Sequence, residues 1–141
     1  MIIKAVYQEG MGGANRSLRK QKKAFLQRGL PVHEFHLGTI NVNSHPEKYR
    51  VLTYDHFMEE VTYRSFLHRR TEDFGFIRIL SLTHNDITFS NWGYLYFAHK
   101  SPHFLNNEVF ELIGPRLDGL RLNDRLVIEV ADGRMERMIR P

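Results

Sequence analysis

From Val61 to its end, the chain consists of short runs rich in β-branched and aromatic residues, each followed by turn residues. The runs are VTYRSFLHR, FGFIRIL, YLYFAHK, DRLVIEV and RMERMIR. Residues of these types favour extended strands, and short strands joined by loops are typical of an all-β sandwich or small barrel. No run approaches the roughly 18 apolar residues that a membrane-spanning helix requires. We therefore expect residues 58–141 to form a small β domain that does not associate with a membrane.

Residues 1–57 show a different pattern. MIIKAVYQ is typical of a short strand, and GMGGANRS of a glycine-rich turn that leads into a helix. The segment RSLRKQKKAFLQRG carries a narrow apolar stripe, and Gly29 followed by Pro31 marks its end. We therefore expect an N-terminal α/β extension with one basic helix. The whole chain would then belong to the α+β class, with a boundary between residues 57 and 58.

Positive charge is concentrated in the predicted extension. Residues 1–57 contain nine basic and four acidic side chains, whereas residues 58–141 contain eleven and twelve. Six of the basic residues lie between Arg16 and Arg28, a segment without any acid. A one-sided positive field attracts phosphate-rich partners through counterion release. The helix therefore either binds nucleic-acid phosphates or is simply a solvated charged surface.

Catalytic, metal and cofactor sites are not expected. The chain contains no cysteine, which excludes disulfides, thiolate catalysis and cysteine-based zinc sites. His33 and His36 have a spacing that a metal could use, but an odd offset along a strand places them on opposite faces. The N-terminal residues also lack the long apolar segment of a secretory signal. We therefore expect a cytoplasmic protein without enzymatic activity.

Aromatic residues recur with strand periodicity in two of the runs. Phe74 and Phe76 are two residues apart, as are Phe97 and His99, so each pair lies on one face of its strand. Gly75 leaves the opposite face of the first strand without a side chain. Four such rings on adjacent strands would form a stacking platform for unpaired bases, each ring contributing roughly 1–3 kcal/mol. The alternative is that these rings belong to an aromatic-rich core.

The same runs resemble a known family. FGFI followed by YFAHKS is similar to the two nucleic-acid-binding motifs of the cold-shock domain, and LRLNDRLVIEV followed by DGR is similar to its last strands. The resemblance covers roughly residues 58–141. It implies a five-stranded antiparallel OB-type β-barrel that binds single-stranded RNA or DNA. The sequence departs from the family in five places: Ser65 replaces a tryptophan, Lys100 replaces an aromatic residue, and acidic residues 72–73 replace a basic one, while the segments 81–92 and 102–119 are longer than in the family.

The resemblance also implies which residues bind the nucleic acid. Bases would stack on Phe74, Phe76 and Phe97, and His99 would stack or contact a base edge. Phe66 would supply a further ring in the first strand. Arg64, Arg78 and Lys100 would neutralise phosphates. The predicted helix would add phosphate contacts that do not depend on base sequence, from Arg19, Lys20, Lys22 and Lys23.

Two other classes of function remain open. GMGGANRSL resembles the first turn of Rossmann-type glycosyltransferases, in which a helix N-terminus can hold a phosphate, so a small enzyme or an enzyme fragment is one alternative. The other is an interaction module that keeps the barrel without binding nucleic acid. In a nucleic-acid-binding module, the N-terminal extension would add phosphate contacts or a site for a protein partner.

Overall fold

A computed structural model describes residues 1–9, 14–32, 35, 39–65, 68–100 and 107–139, with the backbone alone described at 14–19, 65 and 68. Within these residues the fold is mostly β, with antiparallel pairing and one helix. The elements in chain order are β1 (Ile2–Gln8), α1 (Ala14–Gln27), β2 (Ile40–Asn43), β3 (Tyr49–Val51), β4 (His56–Ser65), β5 (His68–His84), β6 (Ile87–Ala98), β7 (Val109–Ile113), β8 (Arg125–Glu129) and β9 (Met135–Arg137).

Seven of the strands form one sheet, in the order β4-β5-β6-β7-β2-β1-β8. The second half of β5 also pairs with β8, so six strands close into a ring and β4 lies outside it along the first half of β5. The predicted five-stranded barrel with an α/β extension is therefore wrong, because the ring has six strands. Strands β1 and β2, which the sequence analysis assigned to the extension, complete the ring between β8 and β7.

The two longest strands form a hairpin. β5 and β6 pair along almost their whole length and are joined by Asn85 and Asp86, both of which have positive φ (49° and 62°). Positive φ at both central residues is the geometry of a type I′ turn, whose twist matches that of the strands. The segment predicted as an insertion, 81–92, is therefore the tip of this hairpin.

The ring encloses the larger hydrophobic core. Inward-facing side chains of β5 and β6 include Ile77, Ile79 and Leu95, which pack against Ile3 of β1 and Ile128 of β8. All five are at most 1% exposed. The small sheet of β3 and β9 closes one side of this core with further apolar residues, Tyr49 and Met135.

Helix α1 covers the outer face of β4, β5 and β6 and forms the second core. The helix predicted from the basic segment is confirmed in position, and Phe25 from its apolar stripe is fully buried against Phe74 and Phe76. The ring of Phe25 meets each of the other two edge-on, with centroids 4.9 Å and 5.1 Å apart. In the described part of the chain, no helix is long and apolar enough to span a membrane.

A buried chain of hydrogen bonds fixes α1 to the sheet. The Tyr96 hydroxyl donates to Oε1 of Gln21 on α1 (2.6 Å), and the Tyr63 hydroxyl donates to Oε1 of Glu72 (2.5 Å). The backbone N–H of Lys100 donates to the other oxygen of Glu72 (2.8 Å). Buried polar groups cost free energy unless they are paired, so this network favours one position of the helix on the sheet.

Candidate functional site

The predicted four-ring platform does not form. In the register of β5 and β6, Phe97 lies directly opposite Gly75, so Phe97 and His99 share the face of Gly75. Phe74 and Phe76 project from the other face and are fully buried beneath α1. The prediction that all four rings share one face is therefore wrong. Phe74 and Phe76 are core residues that α1 separates from solvent.

A different aromatic site lies on the face of Phe97. It is a cavity of about 610 Å³, within the range of typical ligand sites, and its lining includes Tyr49 and Phe110 of the inner core. We call it the aromatic pocket. Its lining residues are Tyr49, Arg50, Val51, Leu52, Thr53, Tyr54, Phe57, Phe97, His99, Asn107 and Phe110.

Four rings form one wall of the aromatic pocket. Tyr54 and Phe57 are nearly parallel, with an interplanar angle of 8° and ring centroids 5.7 Å apart. Phe97 and His99 lie beside Tyr54 at 5.6 Å and 6.0 Å, and His99 also lies 5.6 Å from Phe57. Phe57 remains 46% exposed. Ring surface is therefore accessible at the opening, where a planar ligand could stack.

The segment before β4 is anchored by Asp55. Its backbone N–H donates to the carbonyl of Phe76 (2.8 Å), and its carboxylate accepts from the backbone N–H of Arg78 (2.8 Å). The same carboxylate forms an ion pair with Arg134 (2.7 Å), in the loop that precedes β9. These contacts hold the neighbouring Tyr54 ring over β5. The wall of the pocket is therefore fixed by the fold before any ligand binds.

Gly75 makes this arrangement possible. A Cβ atom at this position would lie 2.2 Å from the Tyr54 ring, so only glycine lets the ring lie flat on the strand. We expect Gly75→Ala to displace Tyr54 and to weaken ligand binding as much as Tyr54→Ala does. Near-ultraviolet circular dichroism would report the displaced ring. The matched control is Gly75→Ala in the Tyr54→Ala background, where the added Cβ no longer meets the ring and should cause no further loss. Unchanged binding by Gly75→Ala would contradict the prediction.

Two polar groups of the aromatic wall, His99 and Tyr54, favour their neutral forms. Burial lowers the pKa of His99 below its usual value, although the carboxylates of Asp73 and Glu72 oppose the shift. Burial likewise raises the pKa of Tyr54. The Tyr54 hydroxyl and Nε2 of His99 are 3.1 Å apart and share a hydrogen bond. A neutral imidazole and a phenol supply both donors and acceptors, which suits a polar, planar ligand.

The other predicted residues are dispersed. Arg64 and Lys100 are exposed outside the pocket lining, and Arg78 is exposed on the α1 side of β5. On α1, Lys20 and Lys23 are exposed, and Lys22 is half-buried. Arg19 lies within α1, where only the backbone is described, and Phe66 lies outside the described residues. Of the residues predicted to bind nucleic acid, the pocket brings together Phe97 and His99.

Sequence reasoning missed Tyr54 and Phe57. Both come from YDHF, directly before the predicted β domain, where no strand was predicted. The available signal was Gly75, because a glycine inside a strand often marks close approach by another group. The face that Gly75 leaves bare was expected to receive no side chain, but the Tyr54 ring of the same chain covers it.

Among the described residues, no group of three or more histidine, aspartate or glutamate side chains is placed to hold a metal ion. Comparison of the sequence with protein-family models and with curated proteins finds no match. The resemblance to the cold-shock domain therefore stays a prediction that rests on the short motifs alone.

Proposed function

We propose that this chain is a cytoplasmic protein that binds single-stranded RNA or DNA without a catalytic step, and that the aromatic pocket receives unpaired bases. The observation that carries the proposal is the wall formed by Tyr54, Phe57, Phe97 and His99 beside an open cavity. Aromatic rings are the usual stacking surface for unpaired bases, and every base has a face that can stack.

The chemistry of the wall fits a nucleobase better than an aliphatic ligand. A base could stack on Phe57 at the opening, while its edge reaches the hydrogen-bonded pair of Tyr54 and His99. Because these two groups can donate or accept, the pocket accommodates the mixed polar edge of a base. The cavity volume of about 610 Å³ is also large enough to contain a whole base with its sugar.

Helix α1 has a smaller role in this proposal than the sequence analysis gave it. Its exposed residues Lys20 and Lys23 lie on the opposite side of the β4–β6 sheet from the pocket. Salt screens charges over about 8–10 Å at physiological ionic strength. The charges of the helix therefore do not act on bases in the pocket. They attract a nucleic acid, or a protein partner, to the surface of the helix itself. We expect its substitution to affect binding less than substitution of a ring.

The pocket is tested by removing its exposed ring. We expect Phe57→Ala to weaken binding of a labelled single-stranded oligonucleotide by about tenfold to a hundredfold, because one base loses its stacking partner. Fluorescence anisotropy with short dT and rU oligonucleotides measures the affinity. The matched control is Phe89→Ala, since Phe89 is also exposed (37%) but lies outside the pocket.

Equal affinities for the wild-type protein, Phe57→Ala and Phe89→Ala would overturn the proposal. So would the absence of any oligonucleotide binding at low salt. Binding of free nucleoside monophosphates without binding of oligonucleotides would instead identify the pocket as a small-molecule site.

A further inference from the structure

Two arginines face each other on the ribbon formed by β4 and β5. Arg64 and Arg69 are direct cross-strand partners, and both are exposed. Side chains directly opposite each other have Cβ atoms about 4.5–5.5 Å apart, and like charges at that distance destabilise the sheet. Within the described part of the chain, neither guanidinium forms an ion pair with a carboxylate. An anion between the two would remove the repulsion.

Hydroxyl groups extend this site on the same face. Thr62 and Thr71, two residues from the arginines along each strand, are also direct partners, and their hydroxyl oxygens are 3.0 Å apart. The four residues form what we call the arginine–threonine patch. Its side chains offer guanidinium and hydroxyl donors, the groups that proteins use to bind phosphate oxygens.

The patch and the aromatic pocket lie on the same face of β5. Side chains alternate along a strand, so Arg69 and Thr71 share the face of Gly75, over which the Tyr54 ring lies. Gly75 is six positions after Arg69 in β5, a distance of about 20 Å at ~3.4 Å per residue. A strand of several nucleotides spans that distance.

Asp73 lies between the patch and the pocket. Its carboxylate accepts a hydrogen bond from the backbone N–H of Glu60 (2.9 Å). A nucleic-acid backbone is repelled by this carboxylate. Phosphate contacts are therefore expected at the patch, beyond Asp73, rather than evenly along β5.

We propose that Arg64 and Arg69, aided by the hydroxyls of Thr62 and Thr71, bind a backbone phosphate of the single strand whose bases occupy the aromatic pocket. This inference rests on the proposed function and adds a second, separate contact point to it. The patch fixes the direction in which the strand leaves the pocket, along β5 and toward the connection between β4 and β5.

The experiment compares two double variants with the same change of charge. We expect Arg64→Gln with Arg69→Gln to flatten the dependence of log K on log salt, by about 0.7 for each lost phosphate contact on a single strand. The control is Arg121→Gln with Arg125→Gln, which removes two exposed arginines outside the patch. The control should leave the salt slope close to that of the wild-type protein. Equal slopes for the wild type and the patch variant, or an equal loss in both variants, would overturn the inference.

A second measurement tests the patch without an oligonucleotide. Inorganic pyrophosphate, with ionic strength held constant by NaCl, should raise the Tm of the wild-type protein and of the control. It should not raise the Tm of the patch variant, which should be at least as stable as the wild type without ligand because the repulsion is gone. Two outcomes would overturn the inference, regardless of the oligonucleotide results. One is that pyrophosphate does not raise the Tm of the wild-type protein, and the other is that it raises the Tm of the patch variant by the same amount.

The two proposals can fail separately. If the oligonucleotide binds and Phe57→Ala weakens it, but the patch variant keeps the wild-type salt slope, the pocket stands and the patch falls. If no oligonucleotide binds at low salt, the proposed function falls and the nucleic-acid assignment of the patch falls with it. Selective protection by pyrophosphate would then show a phosphate site of another kind.

Discussion

Replacing Phe76 with alanine is expected to lower the free energy of unfolding by about 3–5 kcal/mol, the usual cost of truncating a buried phenylalanine. Phe76 is fully buried between the sheet and α1. Its ring meets Phe25 edge-on at 5.1 Å and also lies within 6.1 Å of Tyr96. The variant removes contacts on both sides, and α1 cannot close the void without moving its own hydrogen-bonded anchor. Urea denaturation followed by circular dichroism measures the loss.

The same substitution should leave oligonucleotide affinity unchanged in the folded protein, because Phe76 points away from the aromatic pocket. Phe57→Ala should behave in the opposite way, with weak effect on unfolding and strong effect on binding, since its ring is half exposed. If Phe76→Ala does not fold, Phe76→Leu retains most of the volume and tests the same contrast. A stable Phe76→Ala protein with impaired binding would contradict the assignment of Phe76 to the core.

Local patterns in the sequence identified strands but not the faces that meet. The spacing of Phe74 and Phe76 correctly placed both on one face of β5. Whether Phe97 shares that face depends on the register of β6, and a shift of one residue reverses every side chain. The turn at Asn85 and Asp86 pairs Ser81 with Ser90, and a β-bulge beyond that pair shifts the register by one residue. Because of this bulge Phe97 lies opposite Gly75 rather than Phe74, and the sequence analysis read both features as part of an insertion.

The closed ring depends on pairings between residues far apart in the chain. Ile3 of β1 lies opposite Ile128 of β8, a contact between the two ends of the sequence. Composition and strand periodicity report local preferences, and neither one specifies a distant partner. Five of the nine basic residues in the range 1–57 lie in α1, and this excess of positive charge carries no information about the pairing of β1 and β2.

The candidate site could be predicted only in part for the same reason. Phe97 and His99 were identified from their spacing within one strand. Tyr54 reaches the pocket because the segment before β4 folds over Gly75, and that contact crosses about twenty positions of sequence. A contact of this kind becomes visible only when the tertiary fold is known.

One carboxyl group on the outer face of the ring makes stability depend on pH. Glu111 of β7 lies directly opposite Tyr96 on one side and Asn41 on the other. Burial raises its pKa from 4.5 to about 7, and the carboxylate of Glu72 adds to the shift. Asn41 is itself buried, and its Oδ1 atom has no hydrogen-bond partner within the described residues. The surroundings of Glu111 therefore favour its neutral form.

This raised pKa sets the sign of the pH dependence. Below about pH 4.5, Glu111 is protonated in both the folded and the unfolded chain, so it does not lower the free energy of unfolding. As the pH rises toward 7, the unfolded chain releases the proton first, so the free energy of unfolding falls. Above about pH 7 the group is ionised in both states and the loss is complete. The total loss from this group is at most about 3 kcal/mol.

Glu111→Gln should remove this loss, because the new amide is neutral at every pH and can donate a hydrogen bond to Oδ1 of Asn41. We expect the variant to be more stable than the wild-type protein at pH 7.5, by up to about 3 kcal/mol, and to match it at pH 4. Urea denaturation across pH 4–8 measures both values. The matched control is Glu59→Gln, whose side chain is exposed, and it should keep the wild-type pH profile.

If Glu111→Gln instead has the same pH profile as the wild type, the burial of Glu111 does not govern stability between pH 4.5 and 7. The same stabilisation in both variants would attribute the effect to net charge rather than to the buried carboxyl group.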